Sequence, residues 1–261
     1  MLKQTIVNLA KKLLSENTRR HFRKLNWQRM YFLQSISLPR TAEPVHCPIA
    51  EKDFKTFIKV GSHLVTPSNG ARNRQRLVWL FLKNEVKILK NNLSLLHIAP
   101  EASYFNILKS AKNLIYTPGD KMMDGYSYQP GITNVDLTEL PYQNESFDVF
   151  MANHVLEHIP DDALAISEIY RILKKDGKAV ITVPINEELK ETYENEAVKT
   201  PTDRAKHFGQ WDHVRWYGVD IKNRFEKAGF KVNLNRYAES FSEEEYSKYG
   251  LCKDLILEAT K

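Results

Sequence analysis

The 261 residues contain no run of about 18 apolar residues, the length a membrane span needs, so nothing in the sequence reads as a transmembrane helix. The opening segment MLKQTIVNLAKKLLSENTRR is interrupted by charge too often for a signal peptide. Cysteine is scarce. Cys47 and Cys252 stand far apart and make no disulfide framework, which agrees with a reducing compartment. A cytoplasmic location is therefore expected. Internal repeats and low-complexity tracts are lacking too, so one main domain is the default. What is present supports it: 42% of the residues are hydrophobic, enough to bury a core at this length.

The formal net charge is +6, a sign that would suit nucleic acid or an anionic membrane. Its distribution weakens that reading. Lys11, Lys12, Arg19, Arg20, Arg23, Lys24, Arg72, Arg74 and Arg76 all fall in the first third, while the rest is mixed in sign. Within residues 2–14, Leu2, Ile6, Leu9, Ala10, Leu13 and Leu14 recur at helical spacing between polar residues, which predicts an amphipathic helix. Its stripe would pack on the domain or a second subunit, or lie on a membrane surface. A second helix is expected from Arg20 to Leu33. The stretch from Ser37 to Gly70, broken by Pro39, Pro44, Pro48 and Pro67, reads as a small irregular module.

From Arg72 the pattern becomes regular. Helices are expected over Arg72 to Lys83, Glu101 to Ser110, Asp161 to Leu173 and Val219 to Ala228. Strands are expected over Leu93 to Ile98, Asn113 to Thr117, Thr133 to Asp136, Phe147 to Ala152, Ala179 to Val183, Lys231 to Tyr237 and Asp254 to Ala259, with a turn at Lys175-Asp176-Gly177. Alternation of this kind implies parallel pairing through right-handed crossovers, hence a doubly wound α/β sheet. Such sheets bind ligands at the carboxyl ends of their strands. The residues there are His97-Ile98-Ala99-Pro100-Glu101, Gly119-Asp120, Asp136-Leu137-Thr138 and Asn153-His154-Val155-Leu156-Glu157-His158. A carboxylate after each of the first two strands suits a ribose diol, since it can accept two hydroxyl hydrogen bonds.

The stretch VDLTELPYQNESFDVFMANHVLEHIPDDALAISEIYRILKKDGKAVITVPI resembles the central half of the class I S-adenosylmethionine-dependent methyltransferases. Asp136, Leu137, Phe147-Asp148 and Leu173-Lys174-Lys175-Asp176-Gly177 match that family's motifs in order and spacing. The likeness narrows to a methyltransferase type 11-like subgroup in which LHIAPE, here Leu96 to Glu101, stands in place of the glycine-rich loop. Thr192-Tyr193-Glu194-Asn195, Arg204, Phe208-Gly209-Gln210, Asp212-His213-Val214-Arg215 and Tyr217-Gly218 fit the same subgroup, and the resemblance covers roughly residues 46 to 261.

What the resemblance implies is a Rossmann-like, seven-stranded, mostly parallel sheet with an antiparallel C-terminal strand, behind an N-terminal helical arm (1–45) and a degenerate zinc-ribbon-like module (46–70), the methyltransferase domain taking 71–261. S-adenosylmethionine is the implied methyl donor. Ala99-Pro100 replaces glycine and is expected not to reach the backbone angles glycine allows. Upstream, Cys47 alone remains of the subgroup's four thiolates, its other places being held by residues such as Ala50, Thr66 and Asn69, so the module is expected to fold without metal.

Read on to single residues, the resemblance puts His97, Ala99, Pro100, Glu101, Asp120, Asp136, Leu137, Asn153 and His154 at the donor. His158 and His213 are candidate general bases, because imidazole can take a proton near neutral pH, with Glu157 or Asp212 orienting the ring. Tyr193, His207, Asp212 and Arg215, in a loop after the fifth strand that mixes aromatic and ionisable residues, are candidates for the acceptor. That acceptor is expected to be a small molecule or glycan. No Asn-Pro-Pro-Tyr-like motif follows the fourth strand, which argues against nucleic-acid bases. His154 to His158 also spell H-x-x-E-H, a zinc peptidase signature, but such a motif must lie within a helix and this one follows a strand, so no metal site is expected. A non-catalytic scaffold with the methyltransferase fold is the alternative of another class.

Overall fold

The computed structural model describes residues 16–39, 41–122 and 128–261. The helix expected over residues 2–14, with its membrane or subunit contact, lies outside the described residues. Contacts divide the chain into two compact units, one running up to Trp79 and taking in Ser242–Cys252, the other comprising Leu80–Phe241 and Lys253–Lys261. Against the boundaries expected at residues 45 and 70, the first unit thus gains the start of a helix and a late excursion of the chain. No helix among the described residues is long and apolar enough to cross a membrane.

Among the described residues the first unit opens with α1 (Glu16–Ile36), longer than the sequence pattern predicts. The stretch read as irregular holds two antiparallel hairpins, β1 (Val45–Cys47) with β2 (Lys52–Phe54) and β3 (Ile58–Val60) with β4 (His63–Val65). Left-handed residues Glu51 and Gly61 make the reversals. The Gln34 side chain clasps the backbone of Lys59 from α1, accepting its N–H at 2.8 Å and donating to its carbonyl at 3.3 Å. The organising residue is Arg76, near the start of α2 (Asn73–Asn84), which has no exposed surface. It donates to the carbonyls of Leu64, Ala71, Tyr249 and Gly250 at 2.6–3.2 Å and to Thr66 Oγ1 at 3.2 Å. Its guanidinium also stacks 3.8 Å above the Phe57 ring. Cys47 Sγ accepts from Ala50 N and Thr66 Oγ1, so the turn after the cysteine is held without a second thiolate.

The second unit is built on a seven-stranded sheet. Its chain order runs β5 (Leu93–Ile98), α3 (Ala102–Ser110), β6 (Leu114–Asp120), β7 (Thr133–Asn134), β8 (Phe147–Asn153), α4 (Asp162–Ile172) and β9 (Leu173–Thr182). Then come β10 (Tyr193–Glu194), α5 (Pro201–Phe208), β11 (Arg215–Trp216), α6 (Ile221–Lys227), β12 (Lys231–Asn235) and β13 (Ile256–Thr260). The order across the sheet is β12-β13-β9-β8-β5-β6-β7. The first five strands pair in parallel, and β13 runs antiparallel to both neighbours, which is the doubly wound, mostly parallel architecture expected. Leu96, Ile98, Phe150, Ala152, Ile166, Ile169 and Ile181 are among the core residues that join the sheet to its helices.

Two local expectations shift. The third strand ends at Asn134 rather than Asp136, because the Asp136 carboxylate turns the chain by accepting the N–H and hydroxyl of Thr138 at 3.0 and 2.7 Å. The turn at Lys175-Asp176-Gly177 lies inside β9 as an irregularity, the register with β8 jumping from Phe147 opposite Leu173 to Val149 opposite Lys178.

Candidate active site

The strand order reverses at β5, whose two neighbours β6 and β8 lead away to opposite sides, so the crevice of this sheet opens at the carboxyl ends of β5 and β8. Both ends carry a non-glycine residue in the left-handed region, Ala99 at φ 50° and His154 at φ 55°. Ala99 therefore does adopt a glycine-like backbone angle, against expectation, and the chain bears a local strain of about 1 kcal/mol there.

On the β5 and β6 side a buried network sets the first carboxylate. His97, with no exposed surface, has Nε2 3.0 Å from Glu101 Oε2 and Nδ1 3.0 Å from the Tyr116 hydroxyl. Donation from Nε2 to the carboxylate and acceptance at Nδ1 from the phenol satisfy both ring nitrogens, so His97 aims Glu101 and is closed to a ligand. Burial, helped by Glu101, pushes the Tyr116 phenol up. Asp120 ends β6 half-buried. Burial pushes its carboxyl up, against the N–H of Lys121 and the nearby His97. No side chain among the described residues hydrogen-bonds to it. Asp136 is differently placed, with Lys121 Nζ 2.7 Å away and Thr138 on its other oxygen. These contacts, Lys121 first, bring its carboxyl down to about 2. Leu137 beside it is buried. Asn153 at the end of β8 donates to Tyr104 and accepts from Thr182 Oγ1.

The turn after β8 carries a second group. Leu156–His158 is a single turn of 3-10 helix, not the longer helix a peptidase motif needs. The Val214 N–H donates to the Glu157 carbonyl at 2.9 Å and so lays the segment before β11 against this turn. As a result His213 Nε2 stands 4.0 Å and His154 Nδ1 3.1 Å from Glu157 Oε1, while His158 Nδ1 lies 3.4 Å from Asp212 Oδ2. The His158 and His213 rings meet edge to face at 4.8 Å. Glu157 has no exposed surface. Burial lowers His213 from its ordinary value, opposed chiefly by Glu157.

Residues 192–218, expected as a loop, have structure of their own. β10 pairs with β11, setting Tyr193 opposite Trp216. α5 is capped by Thr200, begins at Pro201 and ends at left-handed Gly209, under which the Trp216 ring packs. Exposed Tyr193 and His207 join there, with the hydroxyl 2.8 Å from Nδ1, and Trp211 is 53% exposed. Arg215 corrects an expectation. It is 4% exposed and pairs with Glu194, and three further donors go to the carbonyls of Leu156, Ile159 and Pro160. It clamps the turn that carries Glu157 and His158 with four of its five N–H donors, and its burial takes it away from an acceptor. Tyr217, matched to the subgroup without a role, and Arg224, which the sequence reading passed over, extend this clamp through Asp162 at 2.7 and 2.9 Å. A groove of about 840 Å³ lined by Asp162, Thr192, Asp220 and Arg224 holds none of the expected donor residues. With no residue from the ends of β5, β6 or β8 in its lining, it is a poor candidate for the chemistry.

Residues 109–181 match the family model described as a methyltransferase domain. The strand order and this match make the larger unit similar to methyltransferase domains in fold. The chain is 25% identical over 145 residues to the demethylmenaquinone methyltransferase of Alkalihalophilus pseudofirmus, covering 50% of this chain and 61% of that protein. It is 39% identical over 64 residues to the demethylmenaquinone methyltransferase of Lactobacillus johnsonii, covering 24% of this chain and 26% of that protein. The match thus spans less than two thirds of these relatives. Among solved structures the [4+2]-cyclase SpnF shares the fold, with a TM-score of 0.51 and 16% identity over 88% of this chain and 92% of that one.

Proposed function

We propose that the chain transfers a methyl group from S-adenosylmethionine to a small-molecule or glycan-type acceptor. The observation that carries the reading is the pair of carboxylates at the ends of adjacent strands, Glu101 aimed by His97 and Asp120 without a side-chain partner among the described residues, beside the crevice where the strand order reverses. Two such groups fit the hydroxyls of a ribose. Ala99, Pro100, Asn153 and His154 would border the donor, with Asp136 and Leu137 toward its base. The bound donor supplies a methyl carbon already activated by its sulfonium, so positioning is most of the protein's task. His158 and His213, flanked by Asp212 and Glu157, take the acceptor's proton, and Tyr193 and His207 cover the acceptor side. The relatives named for demethylmenaquinone support a small-molecule acceptor.

Calorimetry with S-adenosylhomocysteine tests the donor site. Asp120→Ala is expected to weaken binding by at least about 1.5 kcal/mol, the order of a lost hydrogen bond to a charged group. Unaltered affinity in that variant would remove Asp120 from the site, and no heat at millimolar ligand with the wild type would favour a scaffold.

A further inference from the structure

Glu157 is a buried carboxylate, and neither of its oxygens receives a hydrogen bond. A buried carboxylate in that state calls for a cation. The nearest imidazole, His154, has Nδ1 3.1 Å from Oε1 but is not aligned to hydrogen-bond to it, and the next, His213, holds its N–H elsewhere. His213 Nδ1 lies 3.1 Å from the Phe208 carbonyl, which fixes the ring N–H at that nitrogen and leaves Nε2 as a lone pair. That lone pair faces Glu157 Oε1 across 4.0 Å, two acceptors with a gap between them. His158 completes the group, one ligand atom from each of Glu157, His158 and His213 lying within 4.8 Å of the others. Atoms bonded to one zinc at about 2.1 Å stand roughly 3–4 Å apart, so small side-chain rotations close the set.

The surroundings are those of a ligand set as well. Metal-bound histidines give their other nitrogen to a carbonyl or carboxylate, which fixes tautomer and ring plane. Here His213 has the Phe208 carbonyl and His158 has Asp212 at 3.4 Å. We propose that Glu157, His158 and His213 bind one divalent first-row transition metal ion, such as zinc or manganese, at the acceptor side of the crevice. Two imidazoles and one carboxylate leave coordination positions open, as in catalytic sites. An acceptor oxygen can enter one of them. With both imidazoles held as ligands they no longer act as bases, so the O–H bond breaks with the proton passing to solvent, the oxygen then forms its bond to the methyl carbon, and the carbon–sulfur pair returns to sulfur, leaving a neutral thioether. This consequence rests on the proposed methyl transfer, and metal binding does not.

The test titrates chelator-treated full-length protein with cobalt, read by visible absorption, and with zinc and manganese by calorimetry, each with and without S-adenosylhomocysteine. One ion per chain is expected. Glu157→Gln and His213→Gln should each weaken it by more than about 100-fold, and Asp212→Asn by about 10- to 100-fold, the range for a group that orients a ligand. Because the first two side chains are buried, the half-exposed His158→Gln, checked for a cooperative melt, keeps the test open if they fail to fold. No cobalt bands and no heat below millimolar metal, or binding unchanged in a folded His158→Gln, overturns the site. Metal binding without any S-adenosylhomocysteine heat would instead strike the donor reading and leave the metal site standing.

Discussion

Ala99 and His154 sit at φ 50° and 55° where the two central strands deliver the chain into the crevice. A β-carbon in that region costs about 1–2 kcal/mol, and glycine avoids it at some loss of chain entropy. Ala99→Gly is accordingly expected to leave stability unchanged or raise it by up to about 1 kcal/mol in urea unfolding, where alanine to glycine in ordinary backbone destabilises. A loss of the usual size would show that Ala99 carries no strain. At this scale the sequence was legible in residue type more than in role. Glu157, His158, Asp212 and His213 stand out by chemistry, and the structure does bring them together. Arg215 looked like their companion because composition does not reveal burial. His97 was read as a ligand contact because its partner Tyr116 is fixed only by the register of β5 on β6, which aligns His97 with Pro118 and so puts residue 116 on the same face.

The elements of the sheet were legible because apolar runs of strand length stand between turn residues, and β5 is found with the bounds its pattern predicts. The segment from Thr192 to Gly218 was not, since a two-residue ladder has no period to detect. Its helix did leave a signal: Thr200-Pro201 followed by Asp203 at one end and Gly209 at the other form a capped start and a left-handed stop. Gly209 holds φ 81°, and a β-carbon there would lie 2.7 Å from Trp216 Cζ3. Gly209→Ala is therefore expected to cost about 1–2 kcal/mol and to alter tryptophan emission, since ring and backbone cannot both stay in place. If this element covers the acceptor, the same variant raises the acceptor KM while donor affinity by calorimetry stays within about threefold of wild type, the behaviour of sites without shared partners. Equal loss of both affinities would mean that the element supports the whole crevice instead.

At the scale of the molecule, the two compact units differ in what organises them: the larger has a sheet and an apolar core, while the smaller is short in strand and leans on one cation. Arg76 donates to four carbonyls contributed by Leu64, Ala71, Tyr249 and Gly250, so it ties the hairpin segment to the late return of the chain. Burial lowers its pKa to about 10, with Cys47 and Cys252 acting against that fall, so it stays charged at neutral pH. Arg76→Leu would fill part of the space and take the guanidinium from those carbonyls, Ala71 still accepting the Thr66 N–H, a loss of about 3 kcal/mol or more. The four tryptophans make the outcome readable, because Trp27 and Trp79 lie in the smaller unit and Trp211 and Trp216 in the larger. With Trp211 and Trp216 replaced by phenylalanine, the Arg76→Leu emission transition should move to lower urea. With Trp27 and Trp79 replaced instead, it should stay within about 0.5 kcal/mol of its parent, as expected of sites without shared partners. Cys47→Ser should move neither by comparable amounts nor change metal content, since a single sulfur cannot hold a structural zinc. Equal displacement of both tryptophan signals by Arg76→Leu would show that the units unfold as one, and that the cation supports the entire chain.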